Sequence, residues 1–146
     1  MRPDVYFTDF EREDFPVIYE IWKETGLAAP ERGDDADTIL RCNSLGGKFI
    51  NMRLKGTAEI IGTSWMTYDG RRIFLHHFCI KPEYQGKGLG YLLGKESFRF
   101  IKKNGSQVKL EVHKGNIKAK RLYEKLGFFA FRDYDIYMIR KPEEGK

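Results

Sequence analysis

Cysteine is scarce: Cys42 and Cys79 are the only two in 146 residues. They lack metal-knuckle spacing and are too few for a disulfide scaffold, so a reducing cytoplasmic setting is expected. Long apolar runs are missing, and the start "MRPDVYFTDF" lacks the apolar core of a signal peptide; no membrane partner is expected. Charge of one sign is not in strong excess, with 26 basic against 21 acidic residues and a net +5. The basic residues are scattered and no basic-aromatic platform stands out, which argues against a nucleic-acid partner. Repeats, linkers and low-complexity stretches are also absent. What is present is a chain 41% hydrophobic and 14% aromatic, which excludes the disordered class. The length suits a single domain over residues 1–142, with a frayed polar tail at 143–146.

Periodicity divides the chain into elements. "VYFT" reads as a first strand. "FEREDFPVIYEIWKETG" reads as a helix with Phe15, Ile18, Ile21 and Trp22 near one face and Pro16 in its first turn. "DDADTILRCNSLGG" reads as a second helix, acidic at its start and closed by Gly46 and Gly47. The period then changes to that of strands: "KFINMRL", "EIIGTSWMTY" and "RIFLHHFCI" are separated by Lys55–Gly56 and Asp69–Gly70, as in an antiparallel meander. A helix from Leu89 to Asn104, the strand "QVKLEV", the helix "NIKAKRLYEKLG" and a terminal hairpin of "FFAF" and "DYDIYMIRK" complete the order. Such an order predicts a mixed α/β (α+β) fold.

The most informative stretch is "YQGKGLGYLLG", residues 84–94, with glycines alternating directly before an apolar helix. Glycine allows left-handed backbone, and a helix start leaves free N–H groups at the positive end of the dipole. The product is an anion site, most often for phosphate. A Walker loop is excluded at Gly94–Lys95, because Leu89 stands where the first glycine is needed and Glu96 replaces the hydroxyl. A dinucleotide fingerprint fails because the third glycine arrives one residue early.

The pattern that remains is Q-x-x-G-x-G, filled by Gln85, Gly88 and Gly90. It resembles the pyrophosphate loop of the GNAT superfamily, the acetyl-coenzyme A-dependent N-acetyltransferases. Further along, "LEVHKGNIKAKRLYEKLGF" resembles the closing signature of the same family. The resemblance is tight over residues 72–128 and topological before that. It implies a mainly antiparallel sheet of about seven strands flanked by four helices.

The resemblance also implies roles. Backbone groups of Phe78, Cys79 and Ile80 pair with the pantetheine arm of acetyl-CoA, a ligand borrowing a sheet edge. The amides of Gly86, Lys87, Gly88, Leu89 and Gly90 hold the pyrophosphate, with Gln85 opening the loop and Lys87 adding charge. Asn116 matches the asparagine that meets the cofactor arm, and Tyr123 the tyrosine that protonates the departing thiolate. A backbone N–H near Cys79 or Ile80 is the oxyanion donor. Candidates for the general base are His76, Glu111 and His77, with a water chain as the alternative. Alternation groups His76 with Phe74, Phe78 and Ile80, and His77 with Leu75 and Cys79, but family members bulge this strand. No metal and no covalent enzyme intermediate is required.

Cys79 reads as a small core residue rather than a nucleophile, and Trp22 and Trp65 as packing. Acceptor specificity in the superfamily resides in the first two helices, their loop and the last hairpin. Here the acidic residues Glu31, Asp34, Asp35 and Asp37 could attract a cationic amine or equally bias a helix start. The expected partner is a small-molecule amine or a protein amino group, within a possible homodimer. The rival expectation is a module of the same fold that binds acyl-CoA without turnover.

Overall fold

The alternation read from the meander is realised as one sheet in the computed structural model, which describes residues 1–105 and 107–146. The strands are β1 (Val5–Asp9), β2 (Lys48–Leu54), β3 (Ile60–Tyr68), β4 (Arg72–Ile80) and β5 (Gln107–Leu110), in the spatial order β1-β2-β3-β4-β5. The first four are antiparallel neighbours and β5 joins β4 in parallel. Between β3 and β4, Asp69 Oδ1 accepts from the backbone N–H groups of Arg71 and Arg72, an Asx turn that reverses the chain before Arg72.

Four helices cover the two faces: α1 (Phe15–Glu24), α2 (Ala36–Ser44), α3 (Leu89–Asn104) and α4 (Ile117–Lys125). On one face Ile18, Ile21 and Trp22 of α1 and Ile39 of α2 pack on Phe49, Ile60, Trp65 and Cys79 of the sheet. On the other, Leu89, Leu93 and Ile101 of α3 pack on Met52, Ile61, Met66, Ile73 and Leu75. The start of α1 is anchored by buried Asp14, which accepts from Arg53 at 2.9 Å and from Asn51 Nδ2 at 3.1 Å. Asp35 caps α2 by accepting from Thr38 N–H at 2.9 Å. Two glycines let α3 and α4 approach: a Cβ at Gly90 would lie 3.0 Å from Leu122, and one at Gly94 would lie 2.5 Å from Leu126.

The expected sheet of about seven strands is corrected to five. "FFAF" and "DYDIYMIRK" form no strands, and among the described residues after α4 only the short turn Pro142–Glu144 is regular. Phe129, Phe131, Tyr134, Tyr137 and Met138 are exposed. β-propensity describes fit to a half-buried pleated surface, and it builds no strand where no neighbouring strand supplies that surface. "QVKLEV" is likewise shortened: pairing ends at Leu75 opposite Leu110, which leaves Glu111 outside the strand.

Gly62 of β3 has a steric role that periodicity does not reveal. A Cβ there would stand 2.9 Å from the backbone oxygen of Cys79 and 2.9 Å from Ile80 Cδ1. The carbonyl belongs to the paired sheet and cannot step aside. Gly62→Ala is therefore expected to lose about 1–3 kcal/mol, read as a lower urea midpoint at unchanged m-value.

Candidate active site

Two irregularities of β4 create the site. The first is a bulge. Thr63 pairs with Cys79 and Trp65 with His76, so the single residue Ser64 faces both His77 and Phe78. His77 takes a left-handed φ of 43°, unusual for a residue with a Cβ. Thr63 secures the distortion: its hydroxyl donates to the His77 carbonyl at 2.8 Å and accepts from the Trp22 indole N–H at 3.1 Å.

The extra residue reverses side-chain parity. His76 and His77 both turn toward the α1–α2 face, His76 against Trp65 and His77 against Trp22. Phe78 is sent to the opposite face, where its ring meets Tyr123 of α4 edge-on at 5.9 Å. Simple alternation would have kept His77 with Leu75, so that grouping is corrected by the bulge.

The second irregularity is a splay. β4 runs on to Ile80 after its pairing with β5 has ended at Leu75. Residues 76–80 therefore present to the β5 side an edge that no strand covers. That is a surface on which an extended ligand can pair with backbone.

The glycine loop lies at the end of this edge. Gln85 Nε2 donates to the Ile80 carbonyl at 2.8 Å, tying loop to strand. Gly86 and Gly88 have φ of 77° and 80°, with open space where a Cβ would be. Conformation, rather than crowding, demands glycine at both positions. Gly88 is the N-cap of the 16-residue α3 and brings no side chain to its N–H groups. The start of α3 can thus receive an anion.

A family model described as "Acetyltransferase (GNAT) family" matches residues 7–128. The chain belongs to the GNAT acetyltransferase family. Solved structures agree on the fold. An acetyltransferase of Trypanosoma brucei is 22% identical, with 93% of this chain and 100% of that one covered at a TM-score of 0.72. The PaiA N-acetyltransferase of Thermoplasma acidophilum, solved with coenzyme A, is 22% identical, with coverage of 90% and 93% and a TM-score of 0.76. The ribosomal-protein-S18-alanine N-acetyltransferase of Escherichia coli is 21% identical, with coverage of 85% and 77% and a TM-score of 0.71.

In this GNAT chain the residues singled out from sequence fall in three groups. Phe78, Cys79, Ile80, Gln85 and the loop from Gly86 to Gly90 follow one another along the open edge and the start of α3. Tyr123 reaches the same region from α4; burial, with Cys79 nearby, pushes its hydroxyl up to about 12. Asn116 is the N-cap of α4, its Oδ1 accepting from Ala119 N–H at 3.1 Å, so its amide nitrogen is the group left to face a ligand. The base candidates separate. His76 Nε2 is 2.8 Å from Thr67 Oγ1 and its ring stacks on Phe74, whereas Glu111 is exposed just beyond β5.

Cys79 is buried 3.4 Å from Thr63 Oγ1, and burial raises its thiol, which suits packing rather than nucleophilic attack. Trp22 is buried and stacked on Trp65, as packing requires, but its ring also lies 4.1 Å from that of His77. Asp34 was visible in the sequence only as one of four acids. The fold selects it, with Oδ2 3.4 Å from His77 Nε2. Among the described residues no group of His, Cys, Asp and Glu is arranged to hold a metal, and no helix is long and apolar enough to cross a membrane.

Burial holds His76 down to about 4 and His77 to about 3, with Arg32 opposing protonation of both. The unfolded chain therefore binds more protons than the fold at any pH between those values and 6.5, the ordinary histidine value. Stability should be flat above that value and fall as pH drops from it toward about 5. Urea midpoints across this range should decline in the wild type and decline less steeply in His77→Gln.

Proposed function

We propose that this GNAT protein is an acetyl-CoA-dependent N-acetyltransferase that modifies a primary amine by direct attack in a ternary complex. The observation that carries the reading is the uncovered edge of residues 76–80 running straight into an open helix start. A cofactor with a peptide-like arm and a diphosphate matches both parts in order. Phe78, Cys79 and Ile80 would offer backbone groups to the arm. Gly86 to Gly90 would offer N–H groups to the diphosphate, with Gln85 holding the loop and Lys87 adding positive charge. Asn116 would donate its amide N–H to the arm from the start of α4.

Acetyl-CoA supplies an activated acyl group and a thiolate leaving group. A base first takes one proton from the ammonium. Attack by the free amine then forms the C–N bond and breaks the C–S bond. The thiolate takes a proton from an acid, and the second proton lost by the nitrogen restores that acid. Tyr123, whose hydroxyl carries its proton near neutrality and whose ring meets Phe78 of the open edge, is the candidate for the second transfer. A backbone N–H near Cys79 or Ile80 would meet the developing oxyanion. Glu111, beyond the end of β5, and His76, beside the bulge, are the base candidates on the two sides of the splay. Glu111 is the more accessible, since His76 is engaged by Thr67.

The test is release of coenzyme A from acetyl-CoA with a panel of amines and peptide N-termini. Tyr123→Phe should lower kcat by about 10²–10⁴-fold while the affinity for coenzyme A, by calorimetry, stays close to wild type. Tight binding without turnover on any acceptor would instead support a non-catalytic acyl-CoA sensor.

A further inference from the structure

A second concavity lies on the α1–α2 face, and it shares one residue with the open edge. It encloses roughly 200 Å³. Phe15, Tyr19 and Trp22 from α1 form an aromatic wall, and Asp34 and His77 stand across it. His77 contributes its backbone to the uncovered stretch of β4 and its side chain to this cavity.

The cavity sets charge beside aromatic surface. The His77 side chain is only 6% exposed and held neutral, so its 3.4 Å contact with Asp34 is a ring nitrogen facing a carboxylate rather than an ion pair. The carboxylate favours the tautomer with hydrogen on Nε2, and its charge is not neutralised by the imidazole. The site thus offers a carboxylate and aromatic faces. A primary ammonium group complements both, through charge-assisted hydrogen bonding and cation–π attraction.

We infer that the cavity bounded by Trp22, Asp34 and His77 is the acceptor site, and that it selects small primary monoamines with a compact apolar or aromatic body. This rests on the acetyltransferase reading above. The cavity takes a compact group, and its aromatic wall gives an apolar body extensive contact. Electrostatics favour a single positive charge. Asp35 is occupied in capping α2, and Asp37 is paired with Arg12 at 2.7 Å. Burial raises Asp34, against the opposing influence of Arg32 and Arg140 nearby. One carboxylate flanked by two arginines suits a monocation and not a polyamine. An amine held here lies beside the backbone of His77 and Phe78, next to the edge assigned to the thioester arm.

Binding can be separated from turnover. Titration with benzylamine or hexylamine should shift the tryptophan fluorescence of the wild type saturably, and should do so in Tyr123→Phe as well. Asp34→Asn should weaken this response by about tenfold or more while coenzyme A affinity is unchanged. In turnover, benzylamine should exceed spermidine, glucosamine 6-phosphate and a peptide N-terminus in kcat/KM by at least about tenfold. Amine binding that is absent, or indifferent to Asp34→Asn and His77→Gln, overturns the inference, as does preference for the polyamine, sugar or peptide. Loss of coenzyme A binding in the wild type would overturn the acetyltransferase reading, and the fluorescence titration would still judge the amine site.

Discussion

The hydroxyl of Thr63, donating to the carbonyl of His77, holds one surplus residue in β4, and the site is arranged around that surplus. Without it, alternation would turn His77 toward α3 and Phe78 toward α1. With it, two histidines stand together on the aromatic face and Phe78 meets Tyr123 on the other. A left-handed φ on a residue with a Cβ costs about 1–3 kcal/mol, so the surrounding packing must over-determine it. Trp22 supplies that packing: its indole is buried, donates to the same threonine and lies against the same histidine.

The bulge and the splay act together. β4 is paired with β3 on both sides of the bulge, which holds it in place on one side. On its other side the pairing stops at Leu75, so the last part of the strand is both fixed and available. The glycine loop continues from that part, and Gln85 clamps the junction. Backbone donors for an extended ligand and for its anionic end are thereby set on one continuous, well-supported path. The cavity proposed for the acceptor opens on the α1–α2 face of the same strand, and His77 belongs to both.

Much of this was legible in the sequence, because the decisive signals are local. The spacing of Gln85, Gly88 and Gly90 before an apolar run marks the loop, and Gly88 of that pattern is left-handed, as is its neighbour Gly86. The helices α1, α2 and α3 and the meander follow from periodicity, since each sets a stripe of the expected period in the core. Helix α4 carries a half-buried one at Ala119, Leu122 and Tyr123. Tyr123 and Asn116 fall on one short helix, as their motif requires.

What escaped the sequence depends on long-range contact. Parity beyond His76 turns on Thr63, 14 positions before His77, and alternation cannot register that. Asp34 is one acid among several until the fold brings it to His77. The final two strands were inferred from aromatic and β-branched residues, but "FFAF" and "DYDIYMIRK" meet no partner strand. Phe128 packs half-buried against Phe98 and Tyr123, and the rest remains exposed. The most direct test of the central claim is amide hydrogen exchange with and without coenzyme A. Slowed exchange confined to residues 76–80 and 86–90 is the predicted result; unchanged exchange of both segments under saturating ligand would contradict the account.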